Sequence, residues 1–108
     1  EYQLGMAVRY SRGHFRSEET ARAAKEQATT AAFEERIAAH MQEEGVSYFG
    51  RLVMLESDGS WFSATRYGSP DDAERGTAAV KQLMASEVQS WFAQYASIYG
   101  TASRVMEL

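Results

Sequence analysis

The hydrophobic pattern changes period several times along the chain. Tyr2 to Tyr10 alternates, with Tyr2, Leu4, Met6, Val8 and Tyr10 on one side and Gln3, Gly5, Ala7 and Arg9 on the other, which predicts a first strand. Ser11 to Arg16 reads as a basic loop. Helical composition then runs from a Ser17 cap, with Glu18 and Glu19 in the first turn, to Gly45. Within that run, Ala21, Ala24, Ala28 and Ala32 form one stripe, and Phe33, Ile37 and Met41 another on nearly the opposite side. One straight helix cannot turn both stripes to a single sheet. The β-branched pair Thr29-Thr30 lies between them, so a break there, or a second packing partner, is expected.

Two apolar runs, Val46 to Ser57 and Ser60 to Tyr67, flank Asp58-Gly59, a strong hairpin signal. A two-residue type I′ turn would set Leu55 opposite Phe62, Met54 opposite Ser63 and Arg51 opposite Arg66. Leu52, Met54, Trp61, Ser63, Thr65 and Tyr67 would then share one face, and Phe49, Val53, Leu55, Phe62 and Ala64 the other. Both faces are largely apolar, so each needs its own cover. Two facing arginines are unfavourable. They call for an acid from Glu107 or another subunit, for a bound anion, or for long side chains that diverge into water. Ser69-Pro70-Asp71-Asp72 predicts a helix start, followed by helical spacing from Ala73 to about Tyr95, and Ala102 to Leu108 alternates as a last strand. The order β-α-β-β-α-β is that of an α+β, ferredoxin-like sandwich with an antiparallel sheet, expected as a single domain over residues 1–108.

Composition narrows the class. The chain has 108 residues and a net charge of −4, which disfavours nucleic acid. No run is apolar enough to cross a membrane, and cysteine is absent, which fits a cytoplasmic protein without disulfides or thiolate chemistry.

Gly45-Val-Ser-Tyr-Phe-Gly-Arg-Leu, the strand end Thr65-Arg66-Tyr67-Gly68-Ser69-Pro70-Asp71-Asp72-Ala73 and the closing strand resemble the dimeric α/β-barrel superfamily, especially the antibiotic biosynthesis monooxygenase-like proteins. The resemblance implies a homodimer that presses its open sheet faces into a barrel, covering the hairpin's second face. It also implies a cofactor-free protein that binds or oxidises a small aromatic or quinol-type compound; a non-catalytic dimeric regulatory or structural module is the alternative. Haem-degrading members use an Asn, a Trp and a His where this chain has Val8, Tyr67 and Thr77, and the chain contains no Asn, so haem degradation is not expected. Acylphosphatases share the topology, and Gly13-His14-Phe15-Arg16 faintly resembles their phosphate loop, but they also need an Asn. Gly59-Ser60-Trp61-Phe62 lacks the basic-aromatic signature of RNA-recognition domains.

The expected pocket lies between sheet and second helix. If the pocket face of that family carries over, Leu4, Met6, Val8 and Tyr10 would reach it from the first strand, Met54, Trp61, Ser63, Thr65 and Tyr67 from the hairpin, and Val80, Met84 and Trp91 from the helix, with His14 at the rim. Such a lining suits a neutral or phenolic ring. It offers no evident base, so any oxygenation would rely on the substrate's own acidity and on Tyr67 or a nearby hydroxyl as donor. The competing reading is an ordinary aromatic core. His40 and Glu44, at i and i+4, are two groups and not a metal site; no metal is expected.

Overall fold

The computed structural model describes residues 5–55 and 59–101. Its elements are β1 (Ala7–Phe15), α1 (Glu18–Ala28), α2 (Ala31–Glu43), β2 (Tyr48–Leu55), β3 (Trp61–Tyr67), α3 (Pro70–Trp91) and β4 (Phe92–Thr101). The four strands form one antiparallel sheet in the order β2-β3-β1-β4, with the helices on one face: the ferredoxin-like fold. No helix among the described residues is long and apolar enough to cross a membrane.

The expected helical break is present. α1 ends at Ala28 and α2 begins at Ala31. Thr29 and Thr30 turn their hydroxyls back onto Lys25 and Gln27 carbonyls, and the Thr30 hydroxyl also accepts from the Phe33 amide as the cap of α2. The two stripes are thereby buried separately: Ala24 and Ala28 from α1; Phe33, Ile37 and Met41 from α2. Ser17 caps α1 in a reciprocal box with Thr20, and Ser69 caps α3 ahead of Pro70.

Three boundaries differ from the sequence reading. β1 begins at Ala7 and runs through the expected loop to Phe15, because its polar inward residues are hydrogen-bonded by β4 rather than solvated. α3 stops at Trp91, and the chain passes directly into β4, so the last strand is 92–101; the expected strand at 102–108 lies outside the described residues.

The hairpin register also differs. Leu55 is opposite Trp61 and Met54 opposite Phe62, so opposed numbers in the described strands add to 116 rather than 117. Asp58 lies outside the described residues. Relative to the expected pairing, β2 is displaced by one residue, which reverses its faces. Leu52 and Met54 turn to the open face with Phe62 and Ala64, and Val53 and Leu55 join the helix-covered face. The register shifts again between Tyr48 and Arg51, around Gly50 at φ 99°, a bulge that returns Tyr48 to the Tyr67 side.

The slip also separates Arg51 from Arg66. Arg51 lies opposite Thr65, its Nε donates to Glu34 Oε2 at 2.8 Å, and its guanidinium sits 5.0 Å from the Phe33 ring centre. Arg66 points to the other face and donates to the Phe49 carbonyl at 3.1 Å. Two apolar faces had made the opposite register equally acceptable; the Glu34 carboxylate on α2 is what accommodates Arg51 on the inner one.

Candidate functional site

β1 and β4 build the floor of a cavity. In the sheet, Arg9 faces the helices beside Ser11, while β4 places Ser97 opposite Ser11 and Tyr95 opposite Gly13. α3 crosses above, and Thr77, Val80, Lys81, Met84 and Val88, at helical spacing, form the roof. The cavity, partly open to the surface, has a volume of about 500 Å³, within the roughly 300–1,000 Å³ of small-molecule sites. A more open groove of about 570 Å³ lies at the surface by Glu44, Arg75 and Gln82.

Arg9 dominates the floor. It is only 9% exposed. Its Nε and Nη2 donate to Ser97 Oγ at 3.2 and 3.1 Å, and Nη2 reaches the Tyr95 hydroxyl at 3.5 Å. Ser97 Oγ lies 2.9 Å from Ser11 Oγ. Arg9 and the two serines thus form one hydrogen-bonded chain, in which either serine hydroxyl can donate to the other. Thr77 donates to the Ala73 carbonyl at 2.7 Å, so its hydroxyl is held by its own helix.

Most of the expected pocket residues lie elsewhere. Val8, Tyr10 and Met54 are on the open face of the sheet, away from α3; Tyr10 is 41% exposed and has its ring against Phe62. The family resemblance put the apolar side of β1 on the pocket face; instead, that side faces outward and Arg9 and Ser11 are inside. Met6 precedes β1 and is buried outside the main core cluster. Trp61, Ser63, Thr65 and Tyr67 do face the helices, but as buried packing. Trp61 meets Phe15 and Phe92 edge-on at 6.5 and 5.9 Å, and Trp91 also packs on Phe92. Of the pocket residues expected, Val80 and Met84 line the cavity, and Leu4 lies outside the described residues.

His14 is at the far end of β1, where its Nδ1 is 3.1 Å from Ser60 Oγ, outside this cavity. His40 lies 3.8 Å from Glu43, and among the described residues no three His, Asp or Glu side chains group as a metal site. Sequence reasoning missed Arg9 and Ser97. The available signal was the second apolar face: if it belongs to a partner, the polar side of β1 must be the one under the helices.

No protein-family model matches the chain, and no curated protein matches it. Solved structures do. A mutant of SnoaB, a cofactor-independent oxygenase from Streptomyces nogalater, superposes with a TM-score of 0.69 at 12% identity, over 95% of this chain and 98% of that one. The chain has the fold of the antibiotic biosynthesis monooxygenase-like proteins. The ActVA-Orf6 monooxygenase of Streptomyces coelicolor, solved with the ligand Nanaomycin D, gives 0.67 at 11% identity over 97% and 93% of the two chains. A dimeric ferredoxin-like protein from an uncultured marine organism gives 0.68 at 7% identity over 96% and 93%. The likeness is one of fold, spanning nearly the whole of each chain.

Proposed function

We propose that this protein is a homodimer that binds a small aromatic or quinol-type compound beneath α3, as a cofactor-independent monooxygenase-like protein. The observation that carries the reading is the cavity itself: an apolar roof of Val80, Met84 and Val88 over a floor of hydrogen-bonded polar groups. Fold likeness to SnoaB and to the ActVA-Orf6 monooxygenase supports the ligand class. The dimer joins the open sheet faces, where Tyr10, Leu52, Met54 and Ile98 are exposed on one side of the sheet. No carboxylate or imidazole lines the cavity among the described residues. That favours, as a second reading, binding without catalysis for any ligand that does not ionise by itself.

Calorimetric titration with phenols, quinols and polycyclic aromatics tests the binding site. At least one compound binds, and Met84→Trp, which fills the cavity, abolishes the heat. Binding that survives Met84→Trp, or none at all, rejects the site. Oxygen consumption on adding the bound quinol then separates the monooxygenase from the binding module.

A further inference from the structure

Arg9 is a cation nine-tenths buried, and its hydrogen-bond partners among the described residues are neutral: Ser97 and Tyr95. No carboxylate pairs with it among the described residues, although Arg51, Arg75 and Arg36 all have acids. Nη1 has no protein partner there. Lys81 also lines the cavity, so two cations and no acid surround it, in a chain whose net charge is −4. Burying an uncompensated cation costs several kcal/mol, and hydroxyl dipoles offset only part of that.

We infer that the cavity's ligand is an aromatic anion whose ionised ring-borne oxygen, phenolate or carboxylate, seats on Arg9. This rests on the cavity being the binding site and adds the charge of what fills it. Arg9 lines the cavity, and its Nη1 donors are taken by no described protein group. The Tyr95 hydroxyl, which accepts from Nη2, keeps its own proton to donate to the same oxygen. The apolar side chains of α3 then cover the ring. Arg9 thus selects for charge in a site whose walls would otherwise accept any apolar ring of the right size. It is also the reason that an ionisable ring needs no protein base: the guanidinium favours loss of the phenol proton to solvent.

Three probes of one shape test this: 4-nitrophenol, 4-nitrobenzoate and the neutral 4-nitrotoluene. At a pH where the first two are ionised, at least one binds tenfold or more tightly than 4-nitrotoluene, and bound 4-nitrophenol ionises at a pH lower by about one unit or more than free, the equivalent of that tenfold. Arg9→Met removes the preference while leaving 4-nitrotoluene affinity within about twofold, and Arg9→Lys restores part of it. The comparison on the unaltered protein stands by itself should Arg9→Met not fold. Equal affinity for all three overturns the inference and leaves the cavity as a neutral-ligand site. No binding of any of the three, by this protein or in the wider aromatic panel, overturns both.

Discussion

Gly76 lies flat against the ring of Tyr67, so close that a Cβ on Gly76 would stand 2.3 Å from Tyr67 Cε1. α3 can approach β3 at this point only because residue 76 has no side chain, and Tyr67, with no exposed surface, fills the space beneath it. The contact sets the height of the helix over the sheet, and with it the depth of the cavity whose roof begins at the next residue, Thr77.

Gly76→Ala therefore costs stability even though alanine is the better helix former by about 1 kcal/mol. Overpacking of this kind costs roughly 1–3 kcal/mol, and the ring is hemmed in, so the net change is a loss. Urea unfolding reads it as a lower midpoint, and Tyr67→Leu in the same background recovers part of the loss. A midpoint that rises on Gly76→Ala would show that α3 adjusts freely.

Asp72 ties the start of α3 to the loop before β2. Ser69 Oγ donates to its Oδ2 at 2.7 Å, while the Ser47 amide and Arg75 Nη2 donate to Oδ1 at 3.1 and 3.0 Å. These bonds, that from Ser69 foremost, hold its carboxyl below the ordinary 3.8. A depressed folded pKa gives stability that is present above pH 3.8 and lost as pH falls from there through the lower folded value. Asp72→Asn should cost about 1–2 kcal/mol at pH 7, with the gap to the unaltered protein closing below pH 3.8. A gap independent of pH would mean that the carboxylate charge contributes nothing.

Tyr48 shows the opposite sign. Burial first, and then its hydrogen bond to Glu34, raise its phenol well above the ordinary 10.0. The folded state keeps a proton that the unfolded chain releases, so this stability is complete below pH 10 and declines above it. Tyr48→Phe should cost roughly 1–2 kcal/mol at pH 8, and the difference should shrink by up to about 1.4 kcal/mol for each pH unit above 10. Denaturant midpoints of the two proteins from pH 8 to 11 decide it; parallel curves would refute the coupling.

Element order, the break at Thr29-Thr30 and the Ser69-Pro70 start were legible because local rules govern them: propensity, periodicity and capping. The sheet faces were not. A one-residue slip in β2 exchanges Met54 for Val53, and both are apolar, so hydropathy carried no information about which way the strand turns. β1 misled for a related reason. Arg9 and Ser11 look like a solvated side, but their partners, Tyr95 and Ser97, stand on a strand that the continuing helical spacing of 88, 91, 92 and 95 disguised as the end of α3.

The same faces yield the last prediction. On the open side of the sheet, β2 presents Leu52 and Met54, β1 Tyr10 and β4 Ile98, with 56%, 46%, 41% and 67% of their surfaces exposed. Such a spread of large apolar groups across three strands needs a cover. A two-fold dimer supplies one with the same residues from each copy. Each substitution then acts twice. Leu52→Asp, at about 1–2 kcal/mol per copy for a charge placed in an apolar interface, weakens the dimer by about 2–4 kcal/mol, or roughly 30- to 700-fold in Kd. Sedimentation should give twice the 12.1 kDa chain mass for the unaltered protein at micromolar concentration and a shift toward monomer for Leu52→Asp. Lys81→Glu, on the exposed side of α3 at the cavity edge, should leave the mass unchanged. A monomeric unaltered protein, or a Leu52→Asp dimer of full strength, would place the contact elsewhere and leave the open face without the partner proposed for it.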